Sequence, residues 1–327
     1  MTGSDSSLTK RFLVASSLVA VSLTLALALL EVALRLFYPM SDFLWQWDTR
    51  IGMKLIPGKQ GRSIKPGVFD VAVSVNAEGF RDRDHAREKP PGTYRVALLG
   101  DSFVEAIQVP FEDSITVVLQ EQLERHGVKV ETINFGVSGS GTARQYLALR
   151  EYGLRYQPDL VLLFLVGNDI SDNSRRLKGA AYYPYPLLTQ DGKLLRSDAG
   201  EPLFTPFAPP APRLALPDAV KHHWKTYRFL LQLVDQLASS PSARANAQGL
   251  GFYELYRSPP RAAWAEAWSA TEGLVLATRD LSRANKAKFA VVLVPSAWEV
   301  YPELWNEVLT RLPDMRDAPV DPDYPSR

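Results

Sequence analysis

The chain has 327 residues, 46% of them hydrophobic and 22% charged, with 37 Lys and Arg against 36 Asp and Glu. That composition excludes disorder or a collagen-like repeat as a description of the whole, and the length allows one large or two ordinary domains. A net charge of +1 gives no field to gather a phosphate backbone, so no nucleic-acid partner is expected, and the absence of cysteine removes disulfides, thiolate metal sites and a Cys nucleophile.

After a polar start that ends in Lys10 and Arg11, the run from Phe12 to Leu30 carries no charge, Pro or Gly. As a helix it rises about 28 Å, enough to cross the hydrocarbon core of a bilayer. The basic flank precedes the run, so the positive-inside rule puts residues 1–11 in the cytoplasm and the rest outside. The anchor is read as residues 12–37, because the amphipathic Glu31-Val-Ala-Leu-Arg-Leu-Phe37 prolongs it. Phe37, Tyr38, Trp45 and Trp47 are then expected at the outer interface. A cleaved signal peptide is the alternative, since Ala26-Leu27-Ala28 has the small-x-small form that a signal peptidase accepts.

Residues 38–91 read as a linker region, loop-rich from Pro57 to Pro91, with one alternating edge strand, Phe69 to Val75. Regular alternation of strands and helices follows, over a domain read as 92–327. Tyr94 to Leu99 is the first strand, and Ser114 to His126 a helix capped at Asp113 or Ser114 and stopped by Gly127. Val128 to Phe135 is the second strand, and Thr142 can cap a helix that runs to Tyr152 and ends at Gly153. Leu160 to Val166 is a continuous apolar third strand, as in a parallel sheet covered on both faces. Residues 171 to about 260 break the pattern and are read as an insertion. It contains Tyr182-Tyr-Pro-Tyr-Pro186, a turn at Asp191-Gly192, a Pro-rich span from Pro202 to Pro217 and an apolar helix from about Ala219 to Leu237. Ala262 to Asn285 is a long helix with Trp264 and Trp268 on one face, and Phe289 to Val294 a fourth strand.

The first three strands run straight into Gly100-Asp101-Ser102, Asn134-Phe-Gly-Val-Ser-Gly139 and Gly167-Asn168-Asp169. In an open parallel sheet all three lie at the carboxyl edge, where ligands of such folds bind. Each alone is an ordinary strand-to-helix turn; three on consecutive strands point to chemistry. Ser102 suits acyl transfer as a nucleophile that needs a base. Its own N–H, the N–H of Gly139 and the side-chain amide of Asn168 are candidate donors to an oxyanion. A phosphate cradle has no support, because neither G-x-x-x-x-G-K-[ST] nor G-x-G-x-x-G follows the first strand. Such chemistry needs no cofactor or metal, and none is expected.

These residues resemble blocks one to three of the SGNH (GDSL) hydrolase superfamily, flavodoxin-like α/β/α esterases and lipases. Asn76-Ala-Glu-Gly-Phe-Arg-Asp82 and the N-terminal anchor are similar to bacterial membrane-attached members. The resemblance implies strand order 2-1-3-4-5, Ser102 as nucleophile, and Gly139 and Asn168 in the oxyanion hole. It also implies a base from an Asp-x-x-His motif after the last strand, which is missing here. The histidines are His85, His126, His222 and His223, and the one Asp-x-x-His, Asp82 to His85, precedes the first strand. His85 is read as a solvated loop residue, His126 as a partner of its helix end, and His222 and His223 as surface or packing residues. The end at Asp321-Pro-Asp-Tyr-Pro-Ser-Arg327 reads as the lead-in to another helix, so the fifth strand, the Asp-x-x-His and a final helix are expected beyond Arg327.

The leading expectation is a membrane-anchored, extracytoplasmic serine esterase acting on an acyl or acetyl ester, with an acylated glycan or lipid as candidate substrate. An O-acyltransferase using Ser102 on a cell-envelope glycan, and an inactive binding module of the same fold, are the alternatives.

Overall fold

The computed structural model describes residues 4–179, 183–209, 223–238, 254–257, 260–301 and 303–311. It opens with helix α1 (Ser4–Phe37) and two antiparallel hairpins, β1 (Trp45–Asp48) with β2 (Gly52–Leu55) and β3 (Gln60–Lys65) with β4 (Phe69–Ser74). Next come β5 (Tyr94–Leu99), the one-turn helix α2 (Ser102–Glu105), α3 (Ile115–Arg125), β6 (Val130–Asn134), α4 (Thr142–Glu151) and β7 (Leu160–Val166). Two short helices, α5 (Gly167–Asp172) and α6 (Arg175–Lys178), precede α7 (Lys225–Ala238) and α8 (Ala262–Ala284). The described chain closes with β8 (Lys288–Val294), α9 (Ala297–Val300) and α10 (Glu303–Arg311).

β5, β6, β7 and β8 form one parallel sheet in the order β6-β5-β7-β8, which is the expected 2-1-3-4. Alternate side chains of a strand point to opposite faces, and β5 uses both. Ala97 and Leu99 enter a core with Ile133, Leu163, Tyr146 and Leu149 and with Ala277 of α8. Val96 and Leu98 enter another with Val130 and Phe164, against Leu119 and Leu123 of α3. The sheet is thereby sandwiched between α3 on one face and α4 with α8 on the other, a flavodoxin-like α/β/α arrangement. Among the described residues β8 pairs only with β7, and Val291 and Leu293 on it are exposed.

Local chemistry sets the boundaries. Ser114 caps α3 by accepting from Val117 N, and Gly127 follows its end with φ +79°. α4 departs from expectation: Gly141 is the cap, Asn173 Oδ1 accepts from Ala143 N at 2.9 Å, and Gly153 begins a 3₁₀ turn. Within the expected insertion, 171–179 continues α5 into α6, and 183–209 folds back on itself through bridges Pro186 to Phe204, Leu188 to Leu194 and Arg196 to Pro202. The Asp191-Gly192 turn lies where the sequence puts it, with Gly192 at φ +78°. Leu194 and Phe204 pack this ribbon onto the main core. Tyr182, Pro210 to Pro217, His222 and the chain after residue 311 lie outside the described residues.

The expectation of a single edge strand before the sheet is corrected. β4 pairs with β3 in its own hairpin, and both hairpins pack on the domain through Leu44, Leu55, Val73, Val75 and Ile107. Buried Arg144 on α4 binds the carbonyls of Ile51 and Met53, at 2.8 and 2.6 Å. Trp45 Nε1 donates to Glu105 at 3.2 Å and the Trp47 ring meets Phe207 at 5.5 Å, so both residues tie the first hairpin to the domain.

Gly136 sits where the turn after β6 crosses α2. A Cβ there would lie 2.4 Å from the backbone nitrogen of Glu105 and 2.7 Å from the carbonyl carbon of Val104, and backbone cannot step aside. Gly136→Ala is therefore expected to cost about 2 kcal/mol or more in urea unfolding, as overpacking does. An unchanged midpoint would contradict the close approach.

Candidate functional site

β5 ends in Leu99, and the chain turns at once into α2. Gly100 makes the turn possible, because a Cβ there would sit 2.3 Å from Val104 Cγ2. Asp101 caps the helix, its Oδ1 accepting from Phe103 N at 2.9 Å. Ser102 is thus the first residue of α2, half-buried at the carboxyl end of a central strand. Its hydroxyl has no hydrogen-bond partner among the described residues.

The second motif closes over the first. Asn134 Nδ2 donates to Val104 O at 2.7 Å, Val137 N to Gly100 O at 3.1 Å, and Ser140 Oγ to Gly100 O at 3.1 Å. Gly139 has φ +66°, a left-handed conformation that glycine adopts without strain. Among the described residues only the Tyr183 hydroxyl comes within 4 Å of where a Cβ would stand, at 3.9 Å. Arg144 lies 4.6 Å from the centre of the Tyr183 ring and donates to Gly139 O at 3.1 Å.

The third motif supplies Asn168. Its amide donates to Asp101 Oδ2 at 3.0 Å and reaches Asp172 Oδ2 at 3.5 Å, so it binds the residue next to Ser102 and bridges two carboxylates. Asp169 is buried and accepts from Val166 N at 3.0 Å and from Gln145 Nε2 at 3.1 Å. Burial and the charge of Asp101 hold its carboxyl well above the usual range. Asp101 and Asp172 are raised too, chiefly by burial; Lys178, 2.5 Å from Asp172, opposes the shift there. Ser102, Gly139 and Asn168 therefore converge at one edge of the sheet. A cavity of about 240 Å³, lined by Gly167, Ile170, Tyr256, Trp268 and Leu293, opens beside this group at the ends of β7 and β8 and does not include Ser102.

Sequence reading missed Glu105, one turn after Ser102. It is fully buried, accepting hydrogen bonds from the Ser138 hydroxyl and from Trp45 Nε1, so it ties α2 to the residue before Gly139. Burial pushes its carboxyl up to about 7 from an ordinary 4.5, against the lowering effect of those donors and of Arg144. A helix of one turn has no periodicity that could have flagged an inward-facing Glu.

The histidines are placed as follows. The expectation of a solvated His85 is wrong: its side chain is 3% exposed, with Nε2 3.1 Å from Asp82 Oδ2. The same oxygen accepts from Asn134 N at 2.8 Å, on the free edge of β6. Asp82 and His85 thus close a sheet edge. His126 ends α3 as expected, its Nδ1 2.8 Å from Gln122 O. His223 is exposed, and its carbonyl accepts from Arg35 at 2.7 Å.

Residues 98–311 match the GDSL-like lipase/acylhydrolase family. The chain belongs to that family. A stretch of 75 residues is 36% identical to an arylesterase of Vibrio mimicus, covering 23% of this chain and 38% of that protein, so the chain spans well under half of that relative. Among solved structures, TesA aligns at 15% identity over 66% of this chain and 73% of its own, with a TM-score of 0.30. The SGNH-hydrolase esterase AlinE4 aligns at 17% over 69% and 100%, with a TM-score of 0.26. The acetyl xylan esterase AlAXEase aligns at 15% over 67% and 84%, with a TM-score of 0.27.

Glu105 generates a test. An acid that binds its proton more tightly when folded stabilises the fold fully below its unfolded pKa, and that contribution is lost as pH rises to the folded one. The window runs from 4.5 to about 7. The neutral Glu105→Gln should therefore gain on the parent by on the order of 2–3 kcal/mol in urea unfolding between about pH 5 and pH 8. A difference that stays constant over that range would contradict a buried, proton-holding Glu105.

Proposed function

We propose that this chain is a serine ester hydrolase that works through an acyl-enzyme on Ser102. The observation that carries the reading is the placement of the Ser102 hydroxyl. It stands at the first position of α2 with no hydrogen-bond partner among the described residues, on the sheet edge that also carries the turn at Gly139 and the amide of Asn168. The hydroxyl oxygen attacks the ester carbonyl and its proton passes to a general base. The tetrahedral oxyanion is met by the N–H groups of Ser102 and Gly139 and by the Asn168 amide, which turns to it from Asp101. Collapse expels the alcohol and leaves the acyl group on Ser102, and water repeats the sequence to release the acid. Among the described residues His85 is bound to Asp82 and His126 to Gln122 O, and no histidine is hydrogen-bonded to Ser102. The Tyr183 ring beside Gly139 gives the acyl or sugar part of an ester an aromatic wall.

The same reading puts the catalytic part outside the cytoplasm, held by α1. Thr9–Phe37 is long and apolar enough to span a bilayer, and Lys10 and Arg11 mark its inner end. A reporter enzyme fused after Gly249 is expected to be active only outside the cytoplasm. Activity inside overturns the topology, and a mature N-terminus at Leu29 replaces the anchor by a cleaved leader.

The oxyanion role is tested by Asn168→Ala in the whole protein. The loss of a donor that acts on developed charge should lower kcat by about 10²–10³ with KM little changed. Since the amide also binds Asp101, about 1–3 kcal/mol of stability should go with it. A normal kcat in a destabilised variant would reduce Asn168 to a strut of the turn.

A further inference from the structure

α7 (Lys225–Ala238) is fastened to the outer end of α1 and turns an apolar stripe to solvent. Glu31 accepts from Lys225 N at 3.2 Å, Thr226 N at 2.8 Å and the Thr226 hydroxyl at 2.8 Å. A carboxylate on the first N–H groups of a helix satisfies donors that lack an intrahelical partner and meets the positive end of the helix dipole. Arg35 donates to His223 O at 2.7 Å, Lys225 Nζ to Tyr38 O at 3.3 Å and Arg228 to Ser41 O at 2.7 Å, and the Tyr38 and Phe229 rings meet edge to face at 5.7 Å. The start of α7 is thereby fixed beside residues 31 to 41, no more than about 9 Å along the axis from the last residue of α1.

The rest of α7 presents Leu230, Leu233, Val234 and Leu237, all exposed, the last by 73%. Their spacing of three, four and seven residues is one face of a helix. Trp224 stands exposed just before it. Such a stripe left in water costs free energy, and α1 determines what lies next to it: a helix most of whose side chains from Phe12 to Phe37 are themselves exposed, Leu34 near its outer end being buried. Arg35 is paired with Glu31 at 2.7 Å, whereas Lys225 and Arg228, bound to backbone carbonyls that do not neutralise them, add positive charge at the height where headgroups begin.

We infer that α7 lies on the outer surface of the bilayer that α1 crosses, with Leu230, Leu233, Val234 and Leu237 in the boundary between headgroups and acyl chains. The inference rests on the anchor reading of α1. It makes α7 a second contact that fixes how the domain stands on the membrane, which a single spanning helix leaves free to rotate.

The chain has no cysteine, so single cysteines can be introduced into the whole protein at Leu233, Leu237, Leu18 and, as an exposed control on the ribbon, Asp191. Each is labelled with an environment-sensitive fluorophore. The protein is reconstituted in vesicles of phosphatidylethanolamine and phosphatidylglycerol carrying spin labels high or deep in the acyl chain. Leu233→Cys and Leu237→Cys should be quenched at least about twofold more than Asp191→Cys, and more by the shallow label than by the deep one, as for a helix lying in the interface. Leu18→Cys should be quenched most by the deep label. Quenching at Leu18 with 233 and 237 no different from 191 overturns the inference and leaves the anchor standing. An apolar but unquenched environment at 233 and 237 assigns the stripe to a second copy of the chain and overturns it equally. No quenching at Leu18 removes the anchor reading, and the inference falls with it.

Discussion

The approach of the turn after β6 to the backbone of α2 is the contact on which the rest of the site depends. Gly136 has no Cβ, so the two backbones come within van der Waals distance, and Val137 N and Ser140 Oγ both reach Gly100 O. Asn134 ties Val104 O, and Glu105 takes the Ser138 hydroxyl from the other side. Ser102 and Gly139 are thereby fixed to one another by short bonds within a few residues of each, whatever the longer loops do. In the proposed reaction a nucleophile and an oxyanion donor must hold their relation to within a fraction of an ångström, and a direct backbone cross-tie does this better than packing of side chains.

The site is built against the usual rule that buried carboxylates are paired. Asp101, Asp169, Asp172 and Glu105 are all buried near Ser102, and all four have their pKa raised, first of all by burial. Among the described residues, only Asp172 of the four has an ion pair, with Lys178. Asn168 stands between Asp101 and Asp172, where its amide dipole relieves two like charges. Burial disfavours the charged form of each of these carboxyls.

Much of this was legible in the chain. β7 is an unbroken apolar run and β5 is one but for Arg95, which pairs with Glu131; the limits of both are as read, because a strand buried on both faces is apolar along most of its length. Ser114 and Gly127 announced the ends of α3. The three polar motifs lie together because parallel strands bring their carboxyl ends to one edge. The hairpins before the sheet were illegible in part. Trp45-Gln-Trp-Asp48 and Gly52-Met-Lys-Leu55 are four residues each and owe their place to distant partners, Arg144 and Glu105 among them. His85 was misread for the same reason, its partner Asp82 being bound to the edge of a strand 52 positions away. Long-range polar contacts leave no period in a sequence.

The most direct test of the account is where a reactive acyl-like group goes. Treatment of the whole protein with a fluorophosphonate, followed by peptide mass spectrometry, should give one adduct, on Ser102, and Ser102→Ala should give none while keeping the melting temperature of the parent. An adduct on another residue, or hydrolysis of an aryl ester at the parent rate by a folded Ser102→Ala, would contradict the assignment of Ser102 as the nucleophile.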